Sequence, residues 1–148
     1  MAAAARNLTR VNLELGGNAP AIVLNDADLV LTANALFNSR ALDTGQVCNA
    51  AERVYPQRGI AAPLADRVTR LMAETRYRQP ADRRRPAHGP DHQPGRPRQD
   101  RRAGGRWDAA RKQGAQVLTG GCVADRPGFH DEPTVLMGCT DPMDVMSK

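Results

Sequence analysis

The stretch from Arg78 to Arg106 divides the chain. Its 29 residues include nine Arg, three Asp, five Pro and four Gly, and no Val, Ile, Leu, Met, Phe, Trp, Tyr or Cys. A segment with no apolar surface to bury cannot offset the conformational entropy of ordering itself. It is predicted to be disordered or loosely extended, so any core must come from residues 1–77 and 107–148. The strip carries a net charge of +6, so of the chain's formal +5 the remainder holds only −1. The basic character belongs to one segment and not to the whole protein.

A chain of 148 residues is long enough for one domain with a modest core. No run approaches the roughly 18 apolar residues of a membrane-crossing helix. The alanine-rich start, Met1 to Arg6, lacks the apolar stretch of a secretory leader. The three cysteines, Cys48, Cys122 and Cys139, are odd in number and far apart, with no CxxC pair. That usage argues against a disulfide framework or zinc site and for a reducing compartment, with the cytoplasm as the expectation.

Outside the basic strip, short apolar runs alternate with helical patterns. Val11, Leu13 and Leu15 alternate with Asn12 and Glu14, the pattern of a half-buried strand stopped by Gly16-Gly17. Ala21–Leu24 reads as a strand buried on both faces. Asp26 or Asp28 is placed to cap a helix with apolar positions Leu29, Ala33, Leu36 and Phe37. Thr44-Gly45 is expected to open a second short helix, GQVCNAAE. Arg53–Gln57 reads as a strand in which Pro56 removes one ladder donor, marking an edge or a distortion. Leu64, Val68, Leu71 and Met72 form the stripe of a third helix. Beyond the strip, Asp108–Gln113 is expected to be helical and ended by Gly114. Ala115–Leu118 and Thr134–Met137 are the remaining strands. The fold class implied is α/β with a mostly parallel sheet and flanking helices.

Two residues carry the chemistry. Cys48 falls in the first turn of the expected second helix, where unpaired N–H groups and the macrodipole favour a thiolate. Glu14 lies at a strand end beside paired glycines, where a carboxylate can reach a cleft and partial burial would tune it as a base. Each has a plainer reading, because a free cysteine is usually a small buried hydrophobe and a strand glutamate usually faces solvent.

Taken together, Leu13-Glu14-Leu15-Gly16-Gly17 and Gly45-Gln46-Val47-Cys48-Asn49 resemble the paired signatures of the aldehyde dehydrogenase superfamily. The 34 residues from Glu14 to Cys48 equal that family's spacing from general base to nucleophile. Similar text continues through NAPAIVLNDADL, Ala51-Glu52-Arg53-Val54-Tyr55, Gln113–Gly121 and Asp131–Val135, so the resemblance covers residues 1–77 and 107–148. The wording GQVCNAAERVY is similar to the branch containing lactaldehyde and glycolaldehyde dehydrogenases.

That resemblance implies part of a catalytic domain that oxidises a small aldehyde to a carboxylic acid with NAD or NADP. Cys48 would attack the aldehyde to give a thiohemiacetal, and hydride would pass to nicotinamide. Glu14 would activate the water that hydrolyses the resulting thioester. The oxyanion would be held by the Cys48 backbone N–H and an upstream asparagine. The Leu15 backbone carbonyl would lie near the nicotinamide amide. Family members are homo-oligomers, and neither a metal nor a membrane is implied.

The departures set the expectations for this chain. The asparagine donor and the nucleotide-binding domain would precede Met1, where Met1-Ala2-Ala3-Ala4 resembles an internal helix of the family. The EExFGP motif, whose glutamate holds the cofactor ribose, would follow Lys148. No GxGxxG or equivalent phosphate loop occurs. Asn18 stands where a lysine is common, and Pro56 where a β-branched residue is usual. An internal piece of the enzyme, inactive by itself, is therefore expected.

Three readings of the basic strip remain open. As a solvated linker it could bind nucleic acid by releasing counterions, in a non-enzymatic interaction module, although aromatics for base stacking occur only at its edges as Tyr77 and Trp107. His88 and His92 are four apart, but the surrounding prolines forbid the helix that would aim both at one metal. The third reading is a slip of one nucleotide near Tyr77 that recovers near Trp107. Codons allowed for His88–Gly95, read from their second base, include Met-Gly-Pro-Ile-Ile-Asn-Pro-Ala, the family's text at this place. Extending through Asp100 permits Ala-Leu-Asp-Lys-Ile, and working back from Arg78 permits Gly-Asn-Pro-Leu-Thr-Asp-Gly-Val.

Overall fold

The computed structural model describes residues 2–75, 100–125 and 130–146. In chain order the elements are α1 (Ala2–Ala5), β1 (Ala19–Val23), α2 (Leu29–Ala41), a 3-10 turn at Leu42–Gly45, β2 (Ala51–Pro56) and α3 (Arg58–Ala73). After these come α4 (Asp100–Lys112), β3 (Gln116–Thr119), β4 (Val135–Met137) and a last 3-10 turn at Asp144–Met146. Helices and strands alternate from α1 to α3, as expected of α/β, whereas β3 and β4 follow α4 in succession.

β1 and β2 pair in parallel, with Ala19 opposite Ala51 and Val23 opposite Pro56. The connection between them is α2, the crossover a parallel pair requires. Asp28, not Asp26, caps α2, its carboxylate accepting from the Leu31 N–H at 2.8 Å. Ala33, on the inner face of α2, is fully buried and joins Val23, Ile60 and Leu64 in one core, with Leu29, Leu36, Val68 and Leu71 packed around it. The stripes expected on α2 and α3 are therefore the faces that meet.

A second cluster, Ala110, Ala115 and Met143, lies between α4, β3 and the last 3-10 turn, with Leu136, Cys139, Val145 and Met146 against it. β3 and β4 pair antiparallel, Val117 opposite Leu136, so one of the two sheets departs from the expected parallel arrangement. α3 packs on α2 and also reaches β3 and β4.

Several sequence expectations are corrected. Val11–Leu15 is not a strand; no ladder partner stands beside it among the described residues, and Val11, Leu13 and Leu15 are all exposed. Alternation alone cannot satisfy a strand's backbone groups. Ala21–Leu24 is not buried on both faces, because a two-stranded sheet leaves Ile22 and Leu24 exposed. The strand expected from Arg53 begins at Ala51 and ends at Pro56, and the Gln57 N–H resumes the ladder on the Val23 carbonyl at 2.8 Å. No α-helix forms from Thr44. Asp43 and Thr44 take left-handed φ values of 49° and 56°, and the chain runs on as turns. The helix expected at Asp108 starts at Asp100, so Asp100–Arg106 of the basic strip is helical rather than disordered. The rest of that strip, with His88 and His92, lies outside the described residues. Among the described residues no helix is long and apolar enough to cross a membrane, and no three potential metal-ligating side chains are grouped.

Candidate active site

The parallel register explains how two motifs 34 residues apart meet. Gly17 and Asn18 immediately precede β1, and Cys48 and Asn49 precede β2 by a single buried residue, Ala50. With Ala19 opposite Ala51, both motif ends arrive at the same end of the same strand pair. They touch there. A β-carbon built on Gly17 would stand 2.6 Å from the Cys48 carbonyl oxygen, closer than real β-carbons approach, so only glycine fits without movement. Asn18 is then fixed by Arg53 of β2, whose Nε and Nη2 donate to the Asn18 carbonyl at 3.1 and 2.7 Å. The Asn18 side-chain amide donates in turn to the Met146 carbonyl at 3.4 Å, tying this corner to the second half of the chain.

Cys48 occupies a turn closed by a bond from the Ala50 N–H to the Val47 carbonyl at 2.9 Å, and its side chain is exposed. The loop before it is strained. Asp43, Thr44 and Gly45 in succession have positive φ, which costs a non-glycine residue about 1–3 kcal/mol unless its surroundings hold it. The Thr44 hydroxyl donates to the Asp43 carbonyl and accepts from the Gln46 side-chain amide, both at 2.6 Å. Arg40, in the last turn of α2, donates to the Gly45 carbonyl at 3.2 Å and to Glu52 Oε1 at 3.0 Å. The Ala51 N–H donates to Ser39 Oγ at 3.1 Å.

Glu14 and Leu15 lie in the exposed segment leading into Gly17, Leu15 with 71% of its surface free. The two causes expected to tune the pair, a helix N-terminus at Cys48 and burial at Glu14, are both missing. A cavity of about 560 Å³ opens nearby, walled by Asn18, Arg40, Arg53, Leu64, Trp107 and Met146 among others. Glu14, Leu15 and Cys48 do not line it. Sequence reasoning missed Ser39, Arg40 and Arg53, which bind backbone groups that no side-chain pattern announces. The one available signal was basic Arg40 near the end of a well-capped helix.

A parallel strand pair linked through a helix, with an exposed thiol on the strained loop before its second strand, defines an α/β fold. The aldehyde dehydrogenase family model matches residues 1–148, and the chain belongs to that family. It is 40% identical over 147 residues to lactaldehyde dehydrogenase of Escherichia coli K12, covering 99% of this chain and 30% of that protein. Succinate semialdehyde dehydrogenase [NAD(P)+] of the same organism is 38% identical over 146 residues, covering 92% of this chain and 29% of its own length. The crystal structure of lactaldehyde dehydrogenase from Escherichia coli superposes with a TM-score of 0.84 over 98% of this chain and 30% of its own. The chain thus spans about a third of the length of these relatives.

Proposed function

We propose that this chain carries the thiol and water-activating chemistry of an NAD(P)-dependent aldehyde dehydrogenase, with Cys48 as nucleophile and Glu14 as general base. The contact of Gly17 with the Cys48 carbonyl carries the reading, because it holds the Glu14-bearing segment against the cysteine loop. Cys48 Sγ, exposed on its turn, adds to an aldehyde carbonyl carbon; a C–S bond forms and the π pair moves to oxygen. The Cys48 backbone N–H is the donor this chain offers to that oxygen. Once the adduct is a thioester, Glu14 takes a proton from the water that attacks it, the C–S bond breaks with its electron pair on sulfur, and the proton held by Glu14 returns to sulfur to restore the thiol.

NAD or NADP, when bound, supplies the hydride acceptor. Toward that cofactor the described residues offer the Leu15 carbonyl on an exposed segment and no glycine-rich phosphate cradle. These residues do not make a dinucleotide site by themselves, so this chain's own chemistry is confined to the thiol and the water. A small aldehyde of the lactaldehyde type is the substrate this reading favours, given the 40% identity to a lactaldehyde dehydrogenase. A cytoplasmic, homo-oligomeric enzyme belongs to the same reading.

The test is acylation of the 148-residue chain with p-nitrophenyl acetate, followed by peptide mapping. The acetyl group is expected on Cys48 in excess over Cys122, which is also exposed, with Glu14→Gln prolonging its lifetime. Equal labelling of Cys48 and Cys122 would overturn the assignment.

A further inference from the structure

Ser39 and Arg40, adjacent in the last turn of α2, between them hold both ends of the loop that carries Cys48. At the entry, Arg40 donates to the Gly45 carbonyl at 3.2 Å, and its guanidinium lies so close over Gly45 that a β-carbon there would come within 2.7 Å of it. At the exit, the same nitrogen reaches Glu52 at 3.0 Å, and Ser39 Oγ accepts from the Ala51 N–H at 3.1 Å. The segment between these ties includes the turn from Val47 to Ala50.

The ion pair itself adds little stability, because both side chains are more than a third exposed and solvent screens them. Geometry is its contribution. The planar guanidinium fixes the directions of the two N–H bonds on Nη1, so that this one nitrogen holds both acceptors at set positions where a freely rotating ammonium would not. What it holds is a loop with three successive left-handed residues, a conformation that persists only where the surroundings over-determine it.

We infer that Arg40, assisted by Ser39, is a positioning residue for Cys48, tying entry and exit of the loop to one helix end so that the Cys48 N–H and Sγ keep a fixed relation. The inference rests on Cys48 being the nucleophile. Carbonyl addition needs the thiol and its oxyanion donor correctly placed relative to each other, whereas displacement at an alkyl halide needs only the thiol. The ratio of the two rates at Cys48 therefore reports placement and not exposure.

The experiment measures acylation by p-nitrophenyl acetate and alkylation by iodoacetamide at Cys48 in the intact chain, with Cys122 as internal reference. Arg40→Met is expected to lower the acylation-to-alkylation ratio about tenfold, the effect of losing one charge-assisted hydrogen bond. Arg40→Lys restores part of the ratio. The swap Arg40→Glu with Glu52→Arg re-forms an ion pair but provides no donor from position 40 to Gly45, so the ratio stays low. Ser39→Ala, which cuts the exit tie alone, lowers it less and serves if Arg40→Met fails to fold. If the parent chain favours Cys48 and neither Arg40→Met nor Ser39→Ala moves the ratio, the positioning role is wrong while the nucleophile reading stands. If the parent does not favour Cys48 over Cys122, the nucleophile reading fails and this inference with it.

Discussion

Gly17 rests directly on the backbone carbonyl of Cys48, and any side chain at position 17 would have to displace that oxygen. Gly17→Ala is expected to destabilise the chain by about 1–3 kcal/mol, the usual cost of forcing a methyl group into an occupied space. Denaturant unfolding measures the loss. Acylation of Cys48 should fall in the same variant. Parental stability and parental acylation together would mean that the two segments do not touch in solution.

The α2 cap gives a second, smaller prediction. Asp28→Ala removes the acceptor for the Leu31 N–H and should cost about 1 kcal/mol, whereas Asp28→Asn should cost little. The midpoint of urea unfolding distinguishes the two. Asp26→Ala, by contrast, should leave the midpoint near the parent's.

Leu64 is the largest fully buried side chain among the described residues, at the point where α3 meets α2 and β1. Leu64→Ala should cost about 2–5 kcal/mol. The readout is a drop in the midpoint of denaturant unfolding. A variant that keeps the parent's midpoint would contradict the core described above.

Thiol chemistry supplies a pH-dependent prediction. Burial pushes the Cys139 thiol above its ordinary range by disfavouring the thiolate. The folded value thus exceeds the unfolded one. Whatever stability this burial of the neutral thiol contributes is present below the unfolded value and lost as pH rises through the folded value. At pH 8 Cys139 should alkylate more slowly than exposed Cys48 and Cys122, with the lag shrinking at higher pH and vanishing in denaturant. Mass spectrometry of time-quenched samples reads all three sites at once.

The basic strip is tested in the gene. We propose that residues 78–106 are encoded one nucleotide out of register. Reading codons 78 to about 100 one base later should give a continuous stretch containing MGPIINPA and ALDKI with no stop. Unrelated residues in that frame would make the strip a genuine insertion. The family model spans residues 1–148, and the relatives described above offer no support for a nucleic-acid role.

What could be read from the sequence was whatever depends on side-chain burial along one element. The Leu64, Val68 and Met72 stripe announced α3, and the spacing from Leu29 to Phe37 announced α2, because a helix face repeats its burial every turn. What could not be read depends on neighbours. Val11–Leu15 has a strand's alternation but nothing beside it to complete a ladder. The helix expected from Thr44 is lost to left-handed residues at Asp43 and Thr44, in a loop held by Arg40 from outside. α4 extends back to Asp100 from the Ala110 anchor, through Gly104-Gly105, where composition alone pointed to disorder. Strand direction is not encoded in periodicity, so the antiparallel β3–β4 pair was invisible. The two motif ends were legible as residues, but the grip of Arg40, Ser39 and Arg53 on backbone groups was not.

The register of β1 on β2 also says where this chain can tolerate changes in length. Because the ladder, and not the count of intervening residues, sets Gly17 beside Cys48, the connection between the strands behaves as slack rope between two fixed cleats. A residue added at the exposed tip around Asn25 and Asp26 should leave the meeting point intact. One added between Gly17 and Ala19, or between Cys48 and Ala51, would shift one motif end past the other and part them by about 3.3 Å, a full strand step.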